Sequence, residues 1–167
     1  MTVTTAAAQD FEAVLTEGHT DIGLAYEDDA WDLHVHAEDT DTEYSPDGAL
    51  LHVGADTLTA RPADAAFDFL GVAAGEDYYR LAQSAVGGQL LLGFGAEEIA
   101  DGTFEDDEVA LTLKAVNGPG HFSIWKSEIT GPVVAMATTD GVSAADRLTV
   151  PAGSHGDFNF GFSAKGR

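Results

Sequence analysis

Apolar and polar residues alternate strictly in several parts of the chain. Trp31, Leu33 and Val35 alternate with polar neighbours, and the same pattern recurs at residues 109–114 and 158–163. A period of two places successive side chains on opposite faces of an extended strand. The alternation therefore predicts half-buried β-strands and an all-β fold.

Twelve strands are predicted, and segments rich in Gly, Pro, Asp and Asn separate them as turns. Many short strands at this spacing predict an antiparallel β-sandwich with a jelly-roll-like arrangement. Residues 62–71 and 95–101 are each predicted to form at most one short helical turn. We expect a single β-sandwich domain over residues 11–167, preceded by a loose segment at residues 1–10. The predicted strands span residues 11–16, 20–26, 30–37, 49–53, 57–61, 77–82, 89–94, 107–116, 121–127, 132–137, 146–150 and 157–163.

The chain is strongly acidic. Its 167 residues carry 29 acidic and seven basic side chains, for a formal net charge of −22, and the first basic residue is Arg61. Such a charge repels nucleic acid and anionic lipid, and it favours solubility, high-salt media or cation binding. No apolar stretch approaches the roughly 18 residues of a membrane span. We therefore expect neither a nucleic-acid partner nor membrane insertion.

Histidines and acids recur at short spacings in distant parts of the sequence. His19 and Asp21 are two residues apart, and so are His155 and Asp157. Residues two apart share one face of a strand, so four ligands would converge if the opening and closing strands pair. Two imidazoles with one or two carboxylates at about 2.0–2.2 Å suit zinc or manganese. Alternatively, Asp21 orients an imidazole without touching the metal, a role also open to Asn159.

A second candidate pair, His34 and His36, lies on the polar face of a predicted strand together with Asp32. A His-x-His pair on a strand either chelates a metal or faces solvent, and the sequence leaves both open. His52 is interpreted as a surface or packing residue, and His121, after a Gly-Pro-Gly turn, as a weaker ligand candidate. The predicted metal ligands are His19, Asp21, His34, His36, His155 and Asp157.

The acidic segment at residues 38–47 is another cation candidate, because alternating carboxylates supply the oxygen ligands that calcium takes. It is not an EF-hand loop, since the twelfth position counted from Asp39 is Leu50 rather than Glu. A hydrated hairpin loop explains the same residues. Calcium is therefore a less favoured cofactor than zinc or manganese.

The sequence contains no recognised catalytic motif. Ser154 and His155, with the scattered acids, match neither a nucleophile elbow nor the spacing of a catalytic triad. Cysteine is absent, which excludes disulfides, thiolate metal sites and cysteine nucleophiles. Paired carboxylates occur throughout so acidic a chain and give no indication of glycosidase chemistry. We expect no enzymatic activity.

Five short motifs follow one another between about residue 12 and the end of the chain. They read EGHTDI at 17–22, FDFLG at 67–71, GAEEI at 95–99, GPGHFSIW at 118–125 and PAGSHGDFNFGF at 151–162. In this order they resemble a bacterial cell-surface domain, the actinobacterial-type surface-anchored protein domain, also called the choice-of-anchor M domain. The second closing histidine of that family corresponds to Asp157 in this chain, and its tryptophan to Phe160.

The resemblance implies a secreted or wall-anchored, non-enzymatic β-domain at an extracellular or cell-surface location. Some members of the family occur beside metal-type ABC transporters, which implies metal capture and a cell-surface or transport partner. The alternative is a structural or adhesive subunit of a filament or layer. In that alternative the two ends of the chain exchange strands with other copies of it.

Overall fold

A computed structural model describes residues 10–166 of the chain. They form β-strands joined by turns and by short 3₁₀ helices at Glu38–Thr40, Ala55–Thr57 and Ala65–Leu70. The strands are β1 (Ala13–Leu15), β2 (Gly18–Glu27), β3 (Ala30–Ala37), β4 (Thr42–Tyr44), β5 (Ala49–Leu51), β6 (Leu58–Ala60), β7 (Asp77–Leu81), β8 (Leu90–Gly95), β9 (Glu108–Thr112), β10 (Phe122–Glu128), β11 (Gly131–Ala137), β12 (Arg147–Pro151), β13 (His155–Asp157) and β14 (Asn159–Phe162). No helix in this part of the chain has the length and apolar character needed to span a bilayer.

Within residues 10–166, ten strands form two five-stranded sheets. Sheet 1 has the strand order β13-β8-β2-β3-β4, and sheet 2 has the order β11-β10-β14-β7-β6. The pairs β9–β12 and β1–β5 form two smaller sheets. Most neighbouring strands are antiparallel, but β2 runs parallel to β8 and β1 runs parallel to β5. The predicted all-β sandwich is confirmed, and these two pairs are its departures from a wholly antiparallel arrangement.

One hydrophobic core draws on both large sheets. Leu92 and Phe94 from sheet 1 belong to the same buried cluster as Ile124 and Phe160 from sheet 2, and β12 adds Val150. Burying a side chain of this size contributes roughly 1.5–3 kcal/mol, so the cluster fixes which face of each strand points inward. Because side chains alternate along a strand, the other face of sheet 1 is left to polar residues.

Each of the twelve predicted strands corresponds to a strand of the structure, within a few residues at its ends. Strands β4 and β13 are not predicted, because each has three residues and contains acids or histidine rather than apolar alternation. The helical turn predicted within residues 62–71 is confirmed by the 3₁₀ helix Ala65–Leu70. The second predicted turn of helix, at residues 95–101, is wrong: Gly95 ends β8, and a single turn follows. Residues 1–9 of the predicted loose segment lie outside the described range.

Candidate metal centre

The face of sheet 1 opposite the core carries four of the predicted ligands on two adjacent strands. In the β2–β3 ladder, Asp21 pairs with His36 and Gly23 pairs with His34. Directly paired residues lie on the same face of a sheet, and His19 lies on that face too because it precedes Asp21 by two residues. The spacing of these residues in the sequence therefore leads to one shared polar surface.

Strand β8 lies between β2 and β13, so the predicted direct pairing of the opening and closing strands is wrong. Asp21 pairs with Gly93 of β8, while Asp157 and His155 of β13 pair with Gly93 and Gly95. Because these two positions of the middle strand carry no side chain, groups on β2 and β13 meet above it. A Cβ atom on Gly93 would overlap Asp21 Oδ1 and lie 3.0 Å from Asp157 Oδ1. The structure places all six predicted ligands on this face of sheet 1: His19, Asp21, His34, His36, His155 and Asp157.

A first cluster, here the His19 group, consists of His19, Asp21, Glu97, His155 and Asp157. His19 Nε2 lies 3.2 Å from Asp157 Oδ1 and 3.6 Å from Asp21 Oδ1. The ring centroids of His19 and His155 are 5.6 Å apart. Two ligands held at about 2.1 Å from one tetrahedral ion lie about 3.4 Å apart. The separations around His19 Nε2 are therefore those of atoms that can share an ion.

Asp21 is the buried centre of the His19 group. It is 1% exposed, and neither carboxylate oxygen has a hydrogen-bond partner. Burial raises the pKa of Asp21 to about 6, although the nearby imidazoles of His19 and His155 lower it in part. Buried carboxylates are normally hydrogen-bonded or paired with a cation, because desolvating the charge is costly. The environment of Asp21 is therefore that of a metal ligand rather than that of a residue with a purely structural role.

Glu97 completes the His19 group from the turn after β8. Its Oε1 lies 2.9 Å from His155 Nδ1, at hydrogen-bond distance. This hydrogen bond raises the pKa of His155, and the charges of Asp21, Glu97 and Asp157 act in the same direction. Ligand atoms of Asp21, Glu97 and His155 all lie within 4.8 Å of one another, and so do those of His19, His155 and Asp157. Two overlapping ligand triads therefore share His155.

A second cluster, here the His34 group, consists of Asp32, His34, Glu43 and Glu98. The ring of His34 lies over Gly23, where a Cβ atom would overlap it. His34 Nδ1 is 3.3 Å from Asp32 Oδ2, and Nε2 is 3.2 Å from Glu98 Oε1. Ligand atoms of His34, Glu43 and Glu98 lie within 4.8 Å of one another. This group shares the polar face with the His19 group but uses different side chains.

The acidic segment at residues 38–47 directs carboxylates toward the histidines. Glu38 and Asp41 lie beside the two ring nitrogens of His36, at 3.0 Å and 3.3 Å. Asp39 Oδ2 accepts a hydrogen bond from the backbone N–H of His19 at 3.2 Å. No potential ligand group found within residues 10–166 draws its members from this segment alone. A calcium site built from the segment alone stays a prediction without structural support.

Three other residues considered in the sequence analysis, His52, His121 and Asn159, lie outside the two clusters. His52 and His121 line a separate cavity of about 470 Å³, and His121 packs over Gly71. Neither belongs to a potential ligand group of the described residues. Asn159 is buried in sheet 2, where Nδ2 approaches the carbonyl oxygen of Trp125 at 3.3 Å. The suggestion that Asn159 orients a metal-binding imidazole is therefore wrong.

Sequence reasoning missed Glu97 and Glu98 as ligands, and it included Glu43 only in the calcium candidate at residues 38–47. One available signal was the pair Gly93 and Gly95, because glycines inside a strand mark a close approach of neighbouring groups. Two glutamates follow that strand within three residues of its end. Glu43 gave no such signal, since it lies in a segment where nearly every second residue is acidic.

Comparison of the chain with family models, with curated proteins and with solved structures gave no match. The resemblance to the surface-anchored protein domain therefore stays a prediction from its five motifs. The geometry of the polar face is the independent basis on which a function can be proposed.

Proposed function

We propose that this protein is a non-catalytic, metal-binding β-sandwich of the cell exterior. Its site binds a divalent transition cation through the His19 group. The observation that supports this proposal is Asp21, a buried carboxylate without hydrogen-bond donors, with two imidazoles and a second carboxylate around it.

A bound cation would offset the repulsion among the carboxylates of the His19 group. Three carboxylates, those of Asp21, Glu97 and Asp157, are gathered around His155, and like charges at short range disfavour ionisation. A bound divalent ion would supply the opposite charge and the missing coordination of Asp21. Mixed imidazole and carboxylate ligands without thiolate favour zinc or manganese over softer metals.

The cell-surface location and the absence of catalysis rest on other grounds. The five motifs resemble a non-enzymatic surface domain, and an excess of 29 acids over seven bases favours solubility in an aqueous, salt-rich exterior. On this proposal the protein captures or carries a metal ion for a surface or transport partner. It does not use the ion to activate a substrate.

Thermal unfolding tests the proposal. Zinc(II), manganese(II) or calcium(II) is added to chelator-treated protein, and the melting temperature is measured with and without excess EDTA. An ion at 100 times its Kd that binds only the folded state stabilises it by about 2.7 kcal/mol, or roughly 5–10 °C for a chain of this size. His155→Ala should lower the gain, because the His19 group loses a ligand, and His121→Ala should retain the gain in full.

Unchanged melting curves with all three ions would refute metal binding. Long polymers in electron micrographs of the same sample would then support the alternative of a structural subunit. Elemental analysis of the purified protein gives an independent reading of the ion it carries.

A further inference from the structure

We propose that the same face of sheet 1 holds a second, separate site for a divalent transition cation, formed by His34, Glu98 and Glu43. This site goes beyond the proposed function, because none of its ligands belongs to the His19 group.

The first argument is the hydrogen-bond chemistry of His34. His34 is 5% exposed, and each of its ring nitrogens lies against a carboxylate oxygen: Nδ1 against Asp32 and Nε2 against Glu98. A neutral imidazole, the form that binds a metal, has only one N–H. If Nδ1 donates to Asp32, the lone pair of Nε2 faces the oxygen of Glu98. A cation between those two atoms converts the repulsion into coordination.

The second argument is geometric. Nε2 of His34 and Oε1 of Glu98 are 3.2 Å apart, near the roughly 3.4 Å spanned by two ligands of one tetrahedral ion. Glu43, on the neighbouring strand β4, brings a third ligand atom within 4.8 Å of both. Asp32 holds the far nitrogen of the ring at 3.3 Å, as an orienting carboxylate does behind a metal-bound histidine.

The third argument is a small polar cavity that borders both groups. It measures about 10 Å³, and its lining includes His34 and Glu98 as well as Asp21 and Glu97. Glu38 also lines it, and Oε1 of Glu38 is buried without a hydrogen-bond partner, although His36 Nδ1 lies 3.0 Å away. A space of this size takes about one water-sized group. The unpartnered oxygen gives that group a further ligand or a hydrogen-bond acceptor.

The turn that follows β8 places one glutamate at each of the two sites. Ala96 and Ile99 are fully buried, and the N–H of Ile99 donates to the carbonyl of Ala96 at 3.1 Å. The N–H of Ala96 donates to the carbonyl of Ser154 at 2.8 Å, which fastens the turn beside β13. Between these anchors, Glu97 contacts His155 and Glu98 contacts His34. The two acids are adjacent in sequence but serve different clusters.

Ion stoichiometry tests the inference. Chelator-treated protein is titrated with manganese(II) and with zinc(II), and bound ions are counted by native mass spectrometry and by calorimetry. We expect two ions per chain. Glu98→Gln and Glu43→Gln should each remove one of the two ions or weaken its binding at least about tenfold. Tenfold is the lower end of the affinity loss that follows mutation of a group that only orients a metal ligand. Both positions are exposed, so these variants should fold normally.

Glu128→Gln is the matched control, because it removes one exposed charge from sheet 2 and should retain both ions. His19→Ala should remove the other ion and keep the one at His34. Two ions retained in Glu98→Gln would overturn the second site. One ion in the wild type, lost in His19→Ala and kept in Glu98→Gln, would also overturn it while leaving the proposed function intact. One ion lost only in Glu98→Gln would instead support the second site and refute the first.

Discussion

The carboxylate of Asp21 occupies the space that a side chain at position 93 would need. Asp21 on β2 pairs with Gly93 on β8, and a Cβ atom on that glycine would overlap Asp21 Oδ1. The close approach exists because the middle strand of the cluster lacks a side chain there. It links the sequence of β8 directly to the position of the buried acid.

Gly93→Ala should therefore disturb the cluster more than an ordinary glycine substitution. The added methyl group must displace Asp21 or the strand, and overpacking of this kind costs about 1–3 kcal/mol. We expect a lower melting temperature and weaker metal binding, measured by thermal unfolding and calorimetry. Gly87→Ala is the control, because its Cβ would meet no atom within 4 Å. Equal behaviour of the two variants would contradict the packing described here.

Asp21→Asn should stabilise the metal-free protein at neutral pH. Burial raises the pKa of Asp21 from 3.8 to about 6, so the folded chain binds this proton more tightly than the unfolded chain does. Stability must then fall as the pH rises from about 4 to 6, by about 3 kcal/mol in total, and the loss persists above pH 6. Asparagine carries no charge to desolvate and escapes this loss.

Urea unfolding in EDTA between pH 4 and pH 7.5 measures the difference. Asp21→Asn should be the more stable protein at pH 7.5, and the gap should narrow toward pH 4. Asp106→Asn removes an exposed charge and serves as the control for net charge. With saturating metal the order should reverse, because the variant lacks a ligand. A less stable variant at pH 7.5 without metal would mean that Asp21 is not a destabilising buried charge.

The fold could be predicted from sequence because its signal is local. Period-two alternation and turn residues locate twelve strands without any knowledge of which strand pairs with which. The order of strands is not local: β8 lies between β2 and β13, although its paired positions are 72 residues from those of β2 and 60–64 residues from those of β13. Strand β4 has three residues, Thr42–Tyr44, which are too few to show an alternation.

The candidate site, like the fold, could be predicted from the sequence only in part. The two-residue spacings of His19 with Asp21 and of His155 with Asp157 predict shared faces, and the structure places these residues together. The glutamates enter from elsewhere along the chain, so no spacing relates Glu98 to His34. Strand order brings those carboxylates to the imidazoles, because Glu98 follows β8 and Glu43 lies on β4 beside β3.

Asn159→Ala should separate structural from metal-binding roles. The side-chain amide of Asn159 donates to Gln83 Oε1 at 2.7 Å and to Ser127 Oγ at 3.1 Å, and its oxygen accepts from the N–H of Gln83. Its amide also donates to the buried carbonyl oxygen of Trp125, and loss of a partner by a buried polar group costs about 1–3 kcal/mol. We expect a clear fall in melting temperature with unchanged metal affinity by calorimetry. Weaker metal binding at full folding would assign Asn159 to the site after all.

Added salt should stabilise the metal-free protein. A formal net charge of −22 makes the folded surface repel itself, and raising ionic strength from about 0.01 M to 1 M shortens the screening length from about 30 Å to 3 Å. We expect the melting temperature in EDTA to rise with sodium chloride and with potassium chloride alike, because screening does not depend on the cation. The rise should be smaller at pH 4, where part of the carboxylates are protonated and the repulsion is weaker. A melting temperature that is independent of salt at pH 7.5 would show that surface repulsion contributes little to stability.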